Sequence, residues 1–245
     1  MSLTGGKNVY GASVGILMLE SRFPRAPGDM GNAGTWPFPV QYRVVRDATP
    51  DRVVRHRAAG LVDGFIDAAR DLVAHGVDGI TTTCGFLSLF QKDIAAAVGV
   101  PVATSSLMQY PMIQAVLPPG KRVGILTISK ASLVAEHLSA AGVPVDVAVA
   151  GTDGGREFTR VVLDDEPSLD FDLARNDLLQ AAADLIAGDA DIGAILLECT
   201  NMVPFATDIR SRTGLPVYSI YSFVTWFQAG LLPRRFAEVI DDSRL

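Results

Sequence analysis

The chain has 245 residues, 49% hydrophobic and 20% charged, with a formal net charge of −6. That balance is globular, and 23 glycines with 14 prolines fall short of a low-complexity or collagen-like composition. The acidic excess and the lack of any Lys/Arg run longer than two residues argue against binding to nucleic acid, and no apolar run approaches the roughly 18–20 residues of a membrane span.

The first strand is expected at Val14–Leu19. It ends at Glu20 with no small-residue cleavage site after it, and is too short for a signal segment. A stretch rich in proline and glycine, Ser21–Pro39, follows and reads as a long loop of the kind that covers binding sites. Helix Ala58–Ala74, strand Val77–Thr82, helix Leu87–Val98, strand Val102–Thr104 and helix Leu107–Val116 come next. The pattern then restarts with strand Arg122–Thr127, helix Ala131–Ala141, strand Val145–Val149 and helix Asp172–Ala187. Strand Ile192–Leu197, helix Phe205–Thr213, strand Val217–Ile220 and helix Phe223–Gly230 complete it. Strands that are near-continuous apolar runs, alternating with amphipathic helices, predict βαβ units and parallel sheets.

The restart is an internal repeat. Val14-Gly15-Ile16-Leu17 returns as Val123-Gly124-Ile125-Leu126, 109 residues on. Val77-Asp78-Gly79-Ile80 aligns with Ile192-Gly193-Ala194-Ile195, and Gly99-Val100-Pro101-Val102 with Gly214-Leu215-Pro216-Val217, each 115 residues on. The only two cysteines, Cys84 and Cys199, are also 115 apart. Two cysteines do not make a disulfide framework, so a reduced, cytoplasmic setting is expected.

Each cysteine ends a strand and precedes a helix. Ligands of parallel sheets bind beyond the carboxyl ends of strands, so halves that face each other would put both thiols on one cleft. A helix N-terminus beside each thiol favours the thiolate and a substrate carboxylate. One thiolate and one thiol on opposite faces of a carbon can remove a proton and return one to the far side. His56, His75 and His137 lack metal-ligand spacing, and no metal is expected. Arg22 and Arg25 are weighed as clamps for an acid from the loop, and Gly151-Thr152-Asp153-Gly154-Gly155 reads as a turn.

Thr81-Thr82-Thr83-Cys84-Gly85-Phe86 and Glu198-Cys199-Thr200-Asn201-Met202, with the repeat and the cysteine spacing, resemble the aspartate/glutamate racemase superfamily. The resemblance implies an α/β fold of two pseudo-symmetric Rossmann-like domains with parallel sheets and the active site in the cleft between them. It implies residues 1–118 plus 221–245 as the first half and 119–220 as the second. It further implies a cofactor-independent, metal-free homodimer acting on a small-molecule carboxylate or cyclic amide. By match to the family's motifs, Cys84 and Cys199 are the catalytic residues. Glu20, Ser21, Thr83, Gly85, Ser105, Ser129, Thr200 and Asn201 are the candidate substrate-binding residues. Glutamate racemases carry Asn-Thr where this chain has Gly85-Phe86, and His where it has Asn201, which turns the expectation away from glutamate. Cys84 turns it away from arylmalonate decarboxylases, which lack the first cysteine. The expected function is a racemase or epimerase that inverts a carbon next to a carboxylate or amide carbonyl by Cys/Cys proton transfer. A maleate-type cis–trans isomerase with a cysteine nucleophile, or a non-catalytic binder of small acids, is the alternative.

Overall fold

The computed structural model describes residues 3–236. The first half contains β1 (Val14–Leu19), β2 (Val40–Val45), α1 (Pro50–Val54), α2 (Val62–Ala74), β3 (Gly79–Thr82), α3 (Gln91–Ala97), β4 (Val102–Ala103) and α4 (Tyr110–Val116). The second contains β5 (Arg122–Thr127), α5 (Ala135–Ala140), β6 (Val149–Gly151), α6 (Phe158–Leu163), α7 (Phe171–Gly188), β7 (Ile192–Leu197), α8 (Ala206–Thr213) and β8 (Val217–Tyr218), and α9 (Ile220–Leu231) follows. Each half forms a four-stranded parallel sheet, in the orders β2-β1-β3-β4 and β6-β5-β7-β8.

The repeat extends to strand register. Leu17 pairs with Thr82 in the first sheet, and Leu126 pairs with Leu197 in the second. These are the same two repeat positions, so Cys84 and Cys199 leave their sheets at equivalent points. Gly15 and Gly124 also play one part. A Cβ on Gly15 would come within 3.0 Å of Leu72 of α2, and one on Gly124 within 3.0 Å of Leu185 of α7. The bare glycine lets the crossover helix lie close on the strand beside it.

Strand β1 alternates its side chains between two cores, as a pleated strand must. Leu17 and Leu19 join the large core that runs through both halves. Val14 and Ile16 join a second core with Met30, Trp36, Ala103 and the buried face of α9, namely Ile220, Phe223, Val224 and Phe227. Helix α9 therefore packs on the first sheet after the second sheet is complete. The expected assignment of 221–245 to the first half reaches beyond the described residues at 237–245.

Three elements were absent from the expected order, and one strand moves. Strand β2 is an edge strand with Gln41 and Arg43 between its apolar residues, and it is only partly buried. Helices α1 and α6 have five and six residues, too few for a helical period to register. Strand β6 forms at Val149–Gly151 instead of Val145–Val149; Val145 is exposed and lies outside it. The helices expected at Leu87 and Leu107 each open with a 3-10 segment, Gly85–Phe90 and Ser106–Gln109.

Candidate active site

Cys84 and Cys199 are the residues immediately before two 3-10 segments, Gly85–Phe90 and Thr200–Phe205. Both are buried free thiols, and they line one cavity. The first half contributes Leu19, Phe23, Arg25, Pro50, Val54 and the Thr83–Phe86 segment to its wall, and the second contributes Ile128, Val162, Leu163 and the Glu198–Asn201 segment. The space open to the centre of a water molecule is ≈ 20 Å³, room for about one water. The unrecognised helices α1 and α6 are thus site elements: they touch each other, and Pro50 and Val54 of one and Val162 and Leu163 of the other give the cavity an apolar part of its wall.

Backbone N–H groups of the turn that follows each cysteine act to lower its thiol, those of Phe86 and Leu87 at Cys84 and that of Asn201 at Cys199, and the Leu87 N–H is hydrogen-bonded to the Cys84 carbonyl. This is the local geometry expected from the sequence. Its electrostatic outcome is the reverse of the expected one: burial pushes both thiols well above the usual range, and a charge on Glu198 would push them further. Desolvation outweighs the N–H groups and the Arg25 guanidinium, so both groups are thiols near neutral pH in the unliganded protein.

The Cys199 thiol donates to Asn201 Oδ1 at 3.5 Å, and Asn201 Nδ2 donates to Asp29 Oδ2 at 2.7 Å. Asp29 Oδ1 accepts from Arg25 Nη1 at 3.0 Å and from the Gly31 N–H. The Arg25 and Asp29 side chains are 13% and 3% exposed, so this is a buried ion pair. Arg25 Nη2 donates to Ser21 Oγ, while Arg25 Nε is buried with no partner among the described residues. The proline- and glycine-rich loop therefore delivers an arginine to the cavity wall and links it, through Asp29 and Asn201, to the second cysteine. A second cavity of similar size shares Phe23, Val162 and Asn201 with the first. Asp29, Phe158, Phe171 and Phe205 complete its polar and aromatic lining.

Of the candidate substrate-binding residues, Thr83, Gly85, Thr200 and Asn201 line the cavity with the two cysteines. Thr83 Oγ1 accepts from the Leu19 N–H at 3.0 Å. Thr200 Oγ1 donates to the Thr83 carbonyl at 2.6 Å and so joins the two halves behind the thiols. The other four are placed elsewhere. Glu20 is exposed and accepts from the Asp47 N–H, and Ser21 supports Arg25. Ser105 caps the 3-10 segment after β4, and Ser129 pairs with Ser132. Arg22 is exposed, whereas Arg25 reaches the wall. Among the described residues no cluster of His, Cys, Asp and Glu could hold a metal ion, and no helix is long and apolar enough to cross a membrane.

Twin parallel sheets with a cysteine at the same carboxyl end of each define a racemase-type α/β enzyme fold. The chain matches the Asp/Glu/Hydantoin racemase family over residues 56–226 and belongs to that family. Curated relatives include the dimethylsulfoniopropionate lyase of Durusdinium sp. clade D, 32% identical over 232 residues, covering 92% of this chain and 77% of that protein. Dimethylsulfoniopropionate lyase 7 of Emiliania huxleyi (strain CCMP1516) is 29% identical over 239 residues, covering 90% of this chain and 67% of that protein. Among solved structures, the allantoin racemase from Klebsiella pneumoniae superposes with a TM-score of 0.60 at 18% identity, over 94% of this chain and 97% of that one. Arylmalonate decarboxylase superposes with a TM-score of 0.57 at 18% identity, over 89% and 92% of the two chains. These structures share the fold; the lyases are similar in sequence over about nine-tenths of this chain.

Proposed function

We propose that the protein is a lyase that removes the α-proton of a small carboxylate and expels a cationic leaving group from the β-carbon, with a sulfonium propionate as substrate. The observation that carries the reading is the pair of thiols brought from equivalent strand ends to one water-poor cavity beside Arg25. The identity with the dimethylsulfoniopropionate lyases directs the chemistry to elimination instead of inversion.

In the reaction a cysteine thiolate takes the α-proton. The electron pair of that C–H bond forms the new C=C bond, the C–S bond breaks with its pair on sulfur, and acrylate and dimethyl sulfide leave. Both thiols are protonated in the unliganded cavity, and the cationic substrate itself offsets that: a positive charge within about 4–6 Å favours the thiolate. Arg25 suits the carboxylate. The adjoining cavity, with Asp29 and three phenylalanine rings beyond those it shares, has the lining that an onium group favours. Racemisation or epimerisation is the second reading, favoured by the matched placement of the two thiols, and it shares the proton-removal step.

The two differ in how many thiols they need. Purified protein is incubated with dimethylsulfoniopropionate, and headspace dimethyl sulfide and acrylate are measured. A parallel series in D₂O follows α-deuteration and optical purity of amino acids, hydantoins and 2-substituted acids. Dimethyl sulfide release supports the lyase; loss of optical purity without it overturns the lyase in favour of the racemase. Replacing the base thiol, as Cys84→Ser or Cys199→Ser, is expected to lower elimination about 10²–10⁴-fold with melting unchanged. Racemisation would fall to that extent in both variants.

A further inference from the structure

Glu198 has no role in the chemistry so far, and its surroundings are unusual. It is fully buried between β7 and Cys199, and it lines the cavity. Thr127 Oγ1 donates to its Oε2 at 2.8 Å, and the Ile128 N–H also faces the carboxyl. Its other oxygen, Oε1, is buried with no partner among the described residues. That oxygen lies against Gly85, where a Cβ would come within 2.2 Å of it. The residue after the first cysteine must therefore be bare for the carboxyl before the second to sit where it does. Thus Gly85 and Glu198, from opposite halves, are one device.

A buried carboxyl without a basic partner stays neutral, and burial pushes Glu198 up to about 8 despite the two groups that donate to it. With Oε2 accepting from Thr127, the proton belongs on Oε1. A buried O–H with no acceptor is costly, so an acceptor is expected to arrive with the ligand.

We propose that Glu198 is a substrate-contacting residue whose Oε1 hydroxyl donates a hydrogen bond to the carboxylate of the bound acid, and holds the same oxygen as negative charge gathers on it when the α-proton leaves. The first contact stands on the cavity geometry; the second rests on the α-proton chemistry proposed above. A neutral carboxylic acid kept as a donor in an apolar site is a known means of stabilising such an oxyanion. The other ionisable groups around this carboxyl are Cys84, Cys199 and Arg25, with Asp29 behind Asn201. Without a cationic ligand both thiols titrate higher than Glu198, so its ionisation is the first to put negative charge in the cavity as pH rises.

The test uses 4-methylpentanoate, which has the shape of dimethylsulfoniopropionate with a CH in place of the sulfonium and cannot eliminate. Its affinity is measured by calorimetry from pH 6.5 to 9.5. Wild-type affinity is expected to hold to about pH 8 and then fall tenfold per pH unit as Glu198 loses its proton. Glu198→Gln keeps a donor and removes the titration, so its affinity at pH 7 stays within about threefold of wild type and its pH profile is flat. Glu198→Leu keeps the bulk and loses the donor, and binds about 10- to 100-fold more weakly. An unchanged alkaline slope in Glu198→Gln, wild-type affinity in Glu198→Leu, or no binding to the wild type overturns the inference. Absence of dimethyl sulfide in the turnover assay overturns the lyase reading and leaves these binding results standing.

Discussion

Arg25 and Asp29 form an ion pair out of water and only a few bonds from Cys199. Removing one member of a buried pair leaves the other charge unpaired, at a cost of about 3–5 kcal/mol. Asp29→Ala and Arg25→Met are each expected to lose that much in urea unfolding, while the double variant loses less than the two singles combined. The pair also holds the loop on the site. Arg25→Met should therefore raise KM for a carboxylate substrate beyond what Asp29→Asn does, because only the former removes the guanidinium. Equal effects on KM from the two variants would assign the pair a structural role alone. At this scale the cysteines and the Cys-Thr pair were plain in the linear chain. Arg25 was one of two arginines in a loop, and nothing in their order along the chain distinguishes the buried one from the exposed Arg22. Glu198 stood beside Cys199 in the quoted motif, yet a glutamate at a strand end carries no sign of having lost its water.

Among the elements, the two glycine-bearing strands β1 and β5 set how near α2 and α7 can lie. A methyl on Gly124 would meet Ile192 at 2.8 Å and Leu185 at 3.0 Å. Gly124→Ala is expected to cost about 1–3 kcal/mol by overpacking, which for a chain of this size is a fall in Tm of roughly 2–4 °C per kcal/mol. Gly15→Ala meets Leu72 and Ile80 at 3.0 Å and should behave alike; a rise in Tm in either variant would contradict the close-packing argument. Long elements with a full period, such as α2 with Phe65, Ala68, Ala69 and Leu72 on one face, were legible in advance. Helices α1 and α6 were not. Thr49 caps α1 ahead of Pro50, Asp177 of α7 accepts from the Glu157 and Phe158 N–H groups at the start of α6, and both helices line the cavity. Such short helices owe their formation to what they pack against rather than to periodicity.

Over the whole molecule, the two halves are latched at the rim of the site. The backbone N–H groups of Arg22 and Phe23 donate to Asp165 Oδ1, and Arg55 of the first half binds Asp164 of the second at 2.7 Å. Arg22, Arg55 and Asp164 are exposed and Asp165 is partly so, and the cavity is too small for a propionate. Opening must therefore precede binding. Asp165→Ala, which removes the acceptor of both N–H groups, is expected to speed alkylation of the buried thiols several-fold with little change in global unfolding; unchanged labelling would mean that the site opens elsewhere.

A second joint is pH-sensitive. His137 is fully buried against Phe86, its backbone carbonyl accepts from Ser88, and burial holds its imidazole down to about 4. The unfolded chain binds this proton near pH 6.5 and the folded one does not. Stability is accordingly full above that value and declines as pH falls toward 4, by up to about 1.4 kcal/mol per unit. Urea unfolding at pH 7.5 and 5 should reveal the loss, and His137→Gln should lessen it.

The twin-sheet class, the duplicated halves and the paired thiols follow from period and repeat, because apolar runs and a recurring spacing are properties of the chain as a line. Which of the expected polar residues share the cavity, the part α1 and α6 take in its wall, and the protonation of Cys84, Cys199 and Glu198 follow from folding. They depend on how much water the two halves exclude when they meet, and desolvation is a property of a volume enclosed by distant segments. No single segment carries it.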